Sequence, residues 1–301
     1  MKATKLQKEI LKTLLFFNFH NRPLTLKEIH QFLGTKANES EIFLTLMDLV
    51  RKKKIIEKNK YFVLTNYSKI LRSQKRRESI KQKLIKKTKN FLFLFKLTPY
   101  VRGVFLANSL SMGMPSKSSD IDVVVLVKKD RLWVARFFLN ILFLFFGQRR
   151  RNDLKKDPGK FCLSYFAEIK TNLQFLKLKE DPLLIYWLAT LKPILGGRAC
   201  EAFLEENKWL LEFLPNLQLA AMGDKIKPLG FVAFLKEKII NPYGNWLEKI
   251  LFQLQAKRIG AKNKKDEKLA LPYIYKSYLE GGRNKLKTQL KENFKISDRN
   301  A

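Results

Sequence analysis

The sequence predicts an α+β, multidomain chain: a small helical unit closed by a hairpin, a central α/β core with a mixed sheet, and a helical C-terminal module. Three observations carry this prediction. Apolar residues at three- and four-residue spacing recur from 6 to 50 and give way to two short β-branched or aromatic runs. Helix-like and strand-like apolar runs alternate from 91 to 166. From about 180 onward only helical spacing is found.

Leu6 to Phe17 forms the first apolar-periodic helix, and Asn21-Arg22-Pro23 a turn. Thr25 caps a second helix, with Leu26, Ile29, His30 and Leu33 on one face and Gly34 at its end. Asn38 with Glu41 three residues on makes a capping box for a third helix that buries Ile42, Leu46, Leu49 and Val50. Lys54-Ile55-Ile56 and Tyr61-Phe62-Val63-Leu64 flank Glu57 to Lys60 as a hairpin. This order, over residues 1–67, resembles winged-helix domains. The resemblance implies nucleic-acid binding through the second helix of the helix-turn-helix pair, although winged helices also dock proteins. Arg51, Lys52, Lys53 and Lys54 end that helix, where phosphate contact is expected before base reading. The only histidines are His20 and His30, and His30 is expected to pack rather than ligate.

Residues 68–90 read as a basic linker helix, with Arg72, Lys75, Arg76, Arg77, Lys81, Lys83, Lys86, Lys87 and Lys89 among sparse apolar positions. Such a helix is either a solvated connector or a track for a polyanion. The core follows over 91–175. Phe91 to Leu97 is helical, Val101 to Leu106 a strand, Ile121 to Val127 a second strand, Arg131 to Phe146 a helix and Phe161 to Phe166 a third strand. The apolar run Leu132 to Phe146 is broken by Arg136 and Asn140 and falls short of the roughly twenty residues a span needs, so a buried helix and no integral membrane span are expected. Arg149-Arg150-Arg151 with Lys155 and Lys156 forms a basic loop, solvated by default but positioned to meet triphosphate or acceptor.

The most informative stretch is ANSLSMGMPSKSSDIDVVVL, residues 107–126. Ser109 sits in a small-residue turn, Gly113 follows, and Ser119-Asp120-Ile121-Asp122 runs into an apolar β-branched strand. Two carboxylates one residue apart on a strand share a face, and a divalent cation is the usual way to relieve their repulsion. The stretch resembles the signature of the polymerase β-like nucleotidyltransferase superfamily. Ser109, Gly113, Asp120 and Asp122 fall in register with it, while Asn108 stands where the family usually has Gly. Together with the Lys160-Phe161-Cys162-Leu163-Ser164-Tyr165-Phe166 strand and the Tyr186-Trp187 helix, the segment is similar to an uncharacterised bacterial branch of that superfamily.

The resemblance implies a Mg²⁺- or Mn²⁺-dependent transfer of a nucleoside monophosphate from a nucleoside triphosphate. Asp120 and Asp122 are then catalytic residues and metal ligands; Asn108, Ser109, Gly113 and Ser119 line the nucleotide's phosphates. The family adds a third carboxylate from a later strand. The strand at 161–166 holds no acid, so Glu168 just past it is the candidate and Asp157 just before it the alternative. Should neither reach the pair, Ser164 occupies the expected place and the site is weak or dead.

Residues 176–295 read as a helical domain and 296–301 as a frayed tail. Asp181-Pro182 opens a helix through Tyr186 and Trp187 to Leu191–Pro193, Phe203 to Leu214 forms another, and Trp246, Ile250, Leu251 and Leu254 mark a third. Trp187, Trp209 and Trp246 are expected in the core rather than stacked on bases. Lys262 to Lys268 reads as a charged loop.

The chain has 301 residues, with 60 Lys and Arg against 27 Asp and Glu, a net charge of +33. That balance favours a polyanionic partner, with nucleic acid ahead of anionic lipid, and disfavours a small cationic acceptor. Two cysteines, Cys162 and Cys200, make no disulfide framework, and no signal-peptide pattern is seen, so a cytoplasmic protein is expected. The expected activity is transfer to a nucleic-acid or protein acceptor. A nonenzymatic nucleic-acid-binding regulator on a degenerate fold is the alternative, and an interaction protein a third.

Overall fold

The computed structural model describes residues 4–150, 157–173, 182–218, 231–259 and 269–270. The architecture is mixed α/β, with a five-stranded mixed sheet at its centre.

The N-terminal unit consists of α1 (Lys5–Phe19), β1 (Leu24–Thr25), α2 (Leu26–Phe32), α3 (Glu39–Arg51), β2 (Ile55–Lys58) and β3 (Tyr61–Leu64). Its strands form a small antiparallel sheet in the order β1-β3-β2. Each helix starts with a reciprocal capping box: Thr4 with Gln7, Thr25 with Glu28 and Asn38 with Glu41. Each box satisfies two of the amides that a helix start leaves unpaired. The boxes at Thr25 and Asn38 stand at the expected places.

After the short helix α4 (Lys69–Arg72), α5 runs unbroken from Gln74 to Leu97. It therefore crosses residue 90, where the sequence suggested a boundary between linker and core. No Gly or Pro interrupts it until Thr98-Pro99, and the residue before a proline is biased away from helix. Its first half is basic and solvated; its second half packs Phe91, Leu92, Leu94 and Phe95 against the sheet.

The large sheet is built from β4 (Val101–Leu106), β5 (Ile121–Val127), β6 (Phe161–Glu168), β7 (Lys192–Leu195) and β8 (Leu269–Ala270), ordered β7-β4-β5-β6-β8. Only β5 and β6 are parallel. The central β5 is buried along its whole length because both faces are covered. Ile121, Val123, Val125 and Val127 pack with α5 and α7 (Leu132–Phe145). Val124 and Leu126 point the other way, to α8 (Pro182–Ala189), α9 (Gly197–Glu206) and the N-terminal unit. The two-residue period of the strand thus splits its side chains between two cores.

The N-terminal unit shares the second core. Tyr186 of α8 packs among Phe16, Phe17 and Phe32 with ring centroids 4.3, 5.0 and 6.2 Å away, and its hydroxyl donates to the Phe32 carbonyl at 3.3 Å. Asn216 adds a polar tie, donating to the Thr35 carbonyl and accepting from the Ala37 N–H.

Three sequence expectations are corrected here. The helix expected to reach Pro193 ends at Ala189, and residues 192–195 form edge strand β7. Proline lacks the N–H a helix needs but is tolerated on a sheet edge. The helix expected over Phe203 to Leu214 is α9 followed by a 3₁₀ turn, Lys208–Glu212. The break falls at buried Asn207, which donates to the Phe203 and Thr171 carbonyls and accepts from the Leu173 N–H, tying the segment after β6 to α9. Trp187 and Trp209 are core as expected, but Trp246 is exposed. It lies on α11 (Gly244–Ile259), which follows α10 (Phe231–Ile240) across a 3₁₀ turn, Asn241–Tyr243. The expected loop Lys262–Lys268, Arg151, Lys155, Lys156 and the 296–301 tail lie outside the described residues.

Candidate active site

The site lies where β4 ends and β5 begins. β4 leads into α6 (Asn108–Ser111), a single helical turn. Asn108 takes a positive φ of 52°. Glycine enters that region without strain, and asparagine is among the few other residues that tolerate it. Asn108 therefore supplies the backbone conformation the turn needs. Gly113 closes the turn at φ 75°, where a side chain would meet open space, so its role is conformational.

Asn108 also does what glycine cannot. Its Oδ1 accepts the Trp187 indole N–H at 3.0 Å, and its side chain hydrogen-bonds the Asp122 carboxylate. A buried network thereby links α8, the turn and the central strand.

Asp122 is buried on β5, with Cys162 directly opposite on β6. The Cys162 thiol is its second hydrogen-bond partner. Burial, and then the negative charge of Asp120, push the Asp122 carboxyl up to about 7, against the pull of Asn108, Cys162 and the Arg150 guanidinium. Asp120, just ahead of the strand, is partly exposed and pairs with Arg150 at Oδ2–Nη1 2.5 Å. Arg150 Nη1 also lies 3.9 Å from Cys162 Sγ. One guanidinium therefore stands against two of the three groups that converge here.

Ligand atoms of Asp120, Asp122 and Cys162 all fall within 4.8 Å of one another, the one such His/Cys/Asp/Glu group among the described residues. The expected carboxylate pair is thus brought together, with a thiol as third member. Two carboxylates suit Mg²⁺, which keeps water and phosphate oxygens in its other positions. A thiolate suits softer ions, so all three ligands together would favour Zn²⁺ over Mg²⁺.

Ser109 and Ser119 meet across the turn, Oγ to Oγ at 3.4 Å, and the Ser119 hydroxyl accepts the Ser116 N–H at 2.9 Å. The two serines lie at one end of the sheet with the Asp pair.

The structure does not bring Glu168 to the Asp pair. Glu168 pairs with Val127 at the far end of β5, six residues along β6 from Cys162, or roughly 20 Å at strand rise. There it accepts the Asp130 N–H at 2.8 Å and lines a separate cavity of about 470 Å³ with Arg131, Trp133, Glu248 and Lys249. The alternative, Asp157, sits in the loop before β6, its carbonyl accepting the Lys160 N–H, and is not one of the converging group. The side chain of Ser164 lies outside the described residues. The register explains the outcome: β6 starts level with β5, so its second residue, Cys162, faces Asp122, and a one-residue shift follows.

Sequence reading missed two participants. Cys162 was not expected at the site, and Arg150 was expected in a loop that is solvated or meets triphosphate or acceptor, not paired with Asp120. Cys162 became visible only with the β5–β6 register, which one sequence does not reveal. Comparison of the chain with protein-family models, curated proteins and solved structures finds no match in any of the three.

Proposed function

We propose that the chain transfers a nucleoside monophosphate from a nucleoside triphosphate to a nucleic-acid or protein acceptor, with Mg²⁺ or Mn²⁺ held by Asp120 and Asp122. The observation that carries this reading is the meeting of Asp120 and Asp122 at the mouth of the Asn108–Gly113 turn. When bound, the cation would neutralise charge that builds on the phosphates. Asp122 is held for the task by Asn108 and Cys162. Ser109, Ser119 and the turn amides face the phosphates on this reading, and Arg150 exchanges Asp120 for a phosphate oxygen.

Acceptor binding falls to α5 rather than α3. The helix order of residues 4–64 fits a winged helix, yet the outward face of α3 carries Glu39, Glu41, Phe43 and Leu44, which repel or ignore phosphate. The exposed side of α5 carries Lys75, Arg76, Lys83, Lys86 and Lys89 over about 21 Å, a ridge matched to a polyanion.

A second reading has specific support. Arg150 already neutralises Asp120, and the third group beside the Asp pair is the Cys162 thiol rather than a carboxylate. Both features suit a nonenzymatic nucleic-acid-binding regulator on a degenerate fold.

The deciding experiment is transfer of labelled α-phosphate from each ribonucleotide to RNA, DNA and the protein itself, with Mg²⁺ or Mn²⁺. Asp120→Ala/Asp122→Ala and Cys162→Asp are run beside wild type. Label from wild type that the Ala pair abolishes, and that Cys162→Asp raises, supports the enzyme. No label, with no nucleotide binding by calorimetry, sinks it in favour of the regulator.

A further inference from the structure

Helices α10 and α11 carry two apolar stripes. One, through Ile240, Leu247 and Leu251, packs into the core beneath the sheet. The other runs Leu235, Ile239, Tyr243, Trp246, Ile250, Leu254, at the three- and four-residue spacing of one helical face, carried from α10 through the 3₁₀ turn into α11. It faces outward: Ile239 is 75% exposed, Tyr243 65%, Trp246 63% and Leu254 62%. Lone exposed apolar side chains are ordinary, but an aligned row is not.

The charges of the segment are sorted as well. Both described acids turn inward. Glu237 takes the Arg102 guanidinium at 2.7 Å and the Tyr100 N–H at 2.9 Å. Glu248 accepts the Trp133 and Val134 N–H groups at the start of α7. Lys238 and Lys249 remain exposed beside the apolar row. Among the described residues from 235 to 255, the outward face therefore holds apolar, amide and cationic side chains and no exposed acid.

We propose that this face seats the protein on an anionic lipid bilayer surface, with α10 and α11 lying in the plane of the interface. Trp and Tyr suit the headgroup level, the aliphatic side chains reach below it, and lysines beside them meet anionic headgroups. The net charge of +33 draws the whole chain to such a surface. A nucleic acid would use the rings and lysines but leave Leu235, Ile239 and Leu254 without a partner. A second copy meeting this face with the same face would set lysine against lysine. Insertion is shallow, since no described helix is long and apolar enough to cross a membrane.

Full-length protein would be tested for co-sedimentation with phosphatidylcholine vesicles and with mixed phosphatidylcholine–phosphatidylglycerol vesicles at physiological salt. Trp133, Trp187 and Trp209 are buried, so quenching of tryptophan fluorescence by brominated lipid reads Trp246. The expected result is binding to the anionic vesicles only, with quenching that Trp246→Phe removes. Ile239→Asp/Leu254→Asp should lower partitioning by about ten-fold or more with an unchanged circular dichroism spectrum. If that variant misfolds, Lys238→Gln/Lys249→Gln takes its place and should also weaken binding. The proposal is overturned by absence of binding to anionic vesicles, by Trp246 that stays unquenched in bound protein, or by Asp variants that bind as tightly as wild type. Self-association without lipid that Ile239→Asp abolishes would overturn it in favour of a second copy, seated on another face such as the acidic, apolar face of α3.

Discussion

Asn108 joins a backbone requirement to a hydrogen-bonding one, and substitutions can separate them. Asn108→Gly keeps the positive φ but strands the Trp187 indole N–H and removes a donor from Asp122. Its expected cost is about 1–3 kcal/mol. Asn108→Ala adds about 1–2 kcal/mol of left-handed strain, so urea denaturation should rank wild type, Gly, Ala in falling stability. Asp122 gives a pH signature. Its folded pKa, about 7, lies above the ordinary aspartate value, so its protonated form favours the fold. That contribution is complete below about pH 4 and is lost as pH rises to 7. Asp122→Asn should therefore melt higher than wild type at pH 8, and the gap should close towards pH 5. Half-buried His20, whose pKa burial lowers, bends the profile the opposite way in both proteins, so their difference isolates Asp122. A divalent cation that stabilises wild type at pH 8 should leave the Asn variant unchanged. The Asp pair and the Ser109 turn were legible because motif spacing is local. Cys162 and Arg150 were not, because their roles arise from a parallel register and a loop that no local pattern encodes.

Among the elements, β7 is the one the sequence hid, and Gly196 after it shows why the chain turns there. Gly196 sits at φ 68°, and a Cβ would stand 1.9 Å from the Arg102 carbonyl of β4. Gly196→Ala must push β7 or α9 away from the sheet, an expected loss of more than about 4 kcal/mol, visible as a large fall in melting temperature. The strand was read as the end of a helix because four residues give too little period to outweigh the apolar run before them. The starts of α2 and α3 were legible, since each capping box is complete within four residues. On the other side of the sheet, α10 is held by the Arg102–Glu237 pair. Arg102→Met leaves a buried carboxylate uncompensated, at about 3 kcal/mol or more, and adding Glu237→Gln should recover part of that loss. A thermodynamic cycle on the two singles and the double measures the coupling.

At the scale of the whole molecule, charge is arranged rather than spread. The lysines of α5 form a ridge, while the acids of α10 and α11 turn inward to Arg102 and the start of α7. On the proposed acceptor-binding role of α5, affinity for nucleic acid should fall steeply with salt. Lys83→Ala and Lys86→Ala should each reduce the slope of log affinity against log salt by about one, as filter-binding titrations would report. The alternation of helix and strand made the α/β core legible in outline. The docking of the N-terminal unit was not, because nothing in Phe16, Phe17 or Phe32 names Tyr186 as their partner. That docking has a consequence in time. Phe32 and Tyr186 lie 154 residues apart, so during synthesis the N-terminal unit waits roughly 8 to 30 s for the ring that covers its apolar face. Throughout that interval Phe16, Phe17 and Phe32 lack the ring that covers them, and the nascent chain presents a sticky surface.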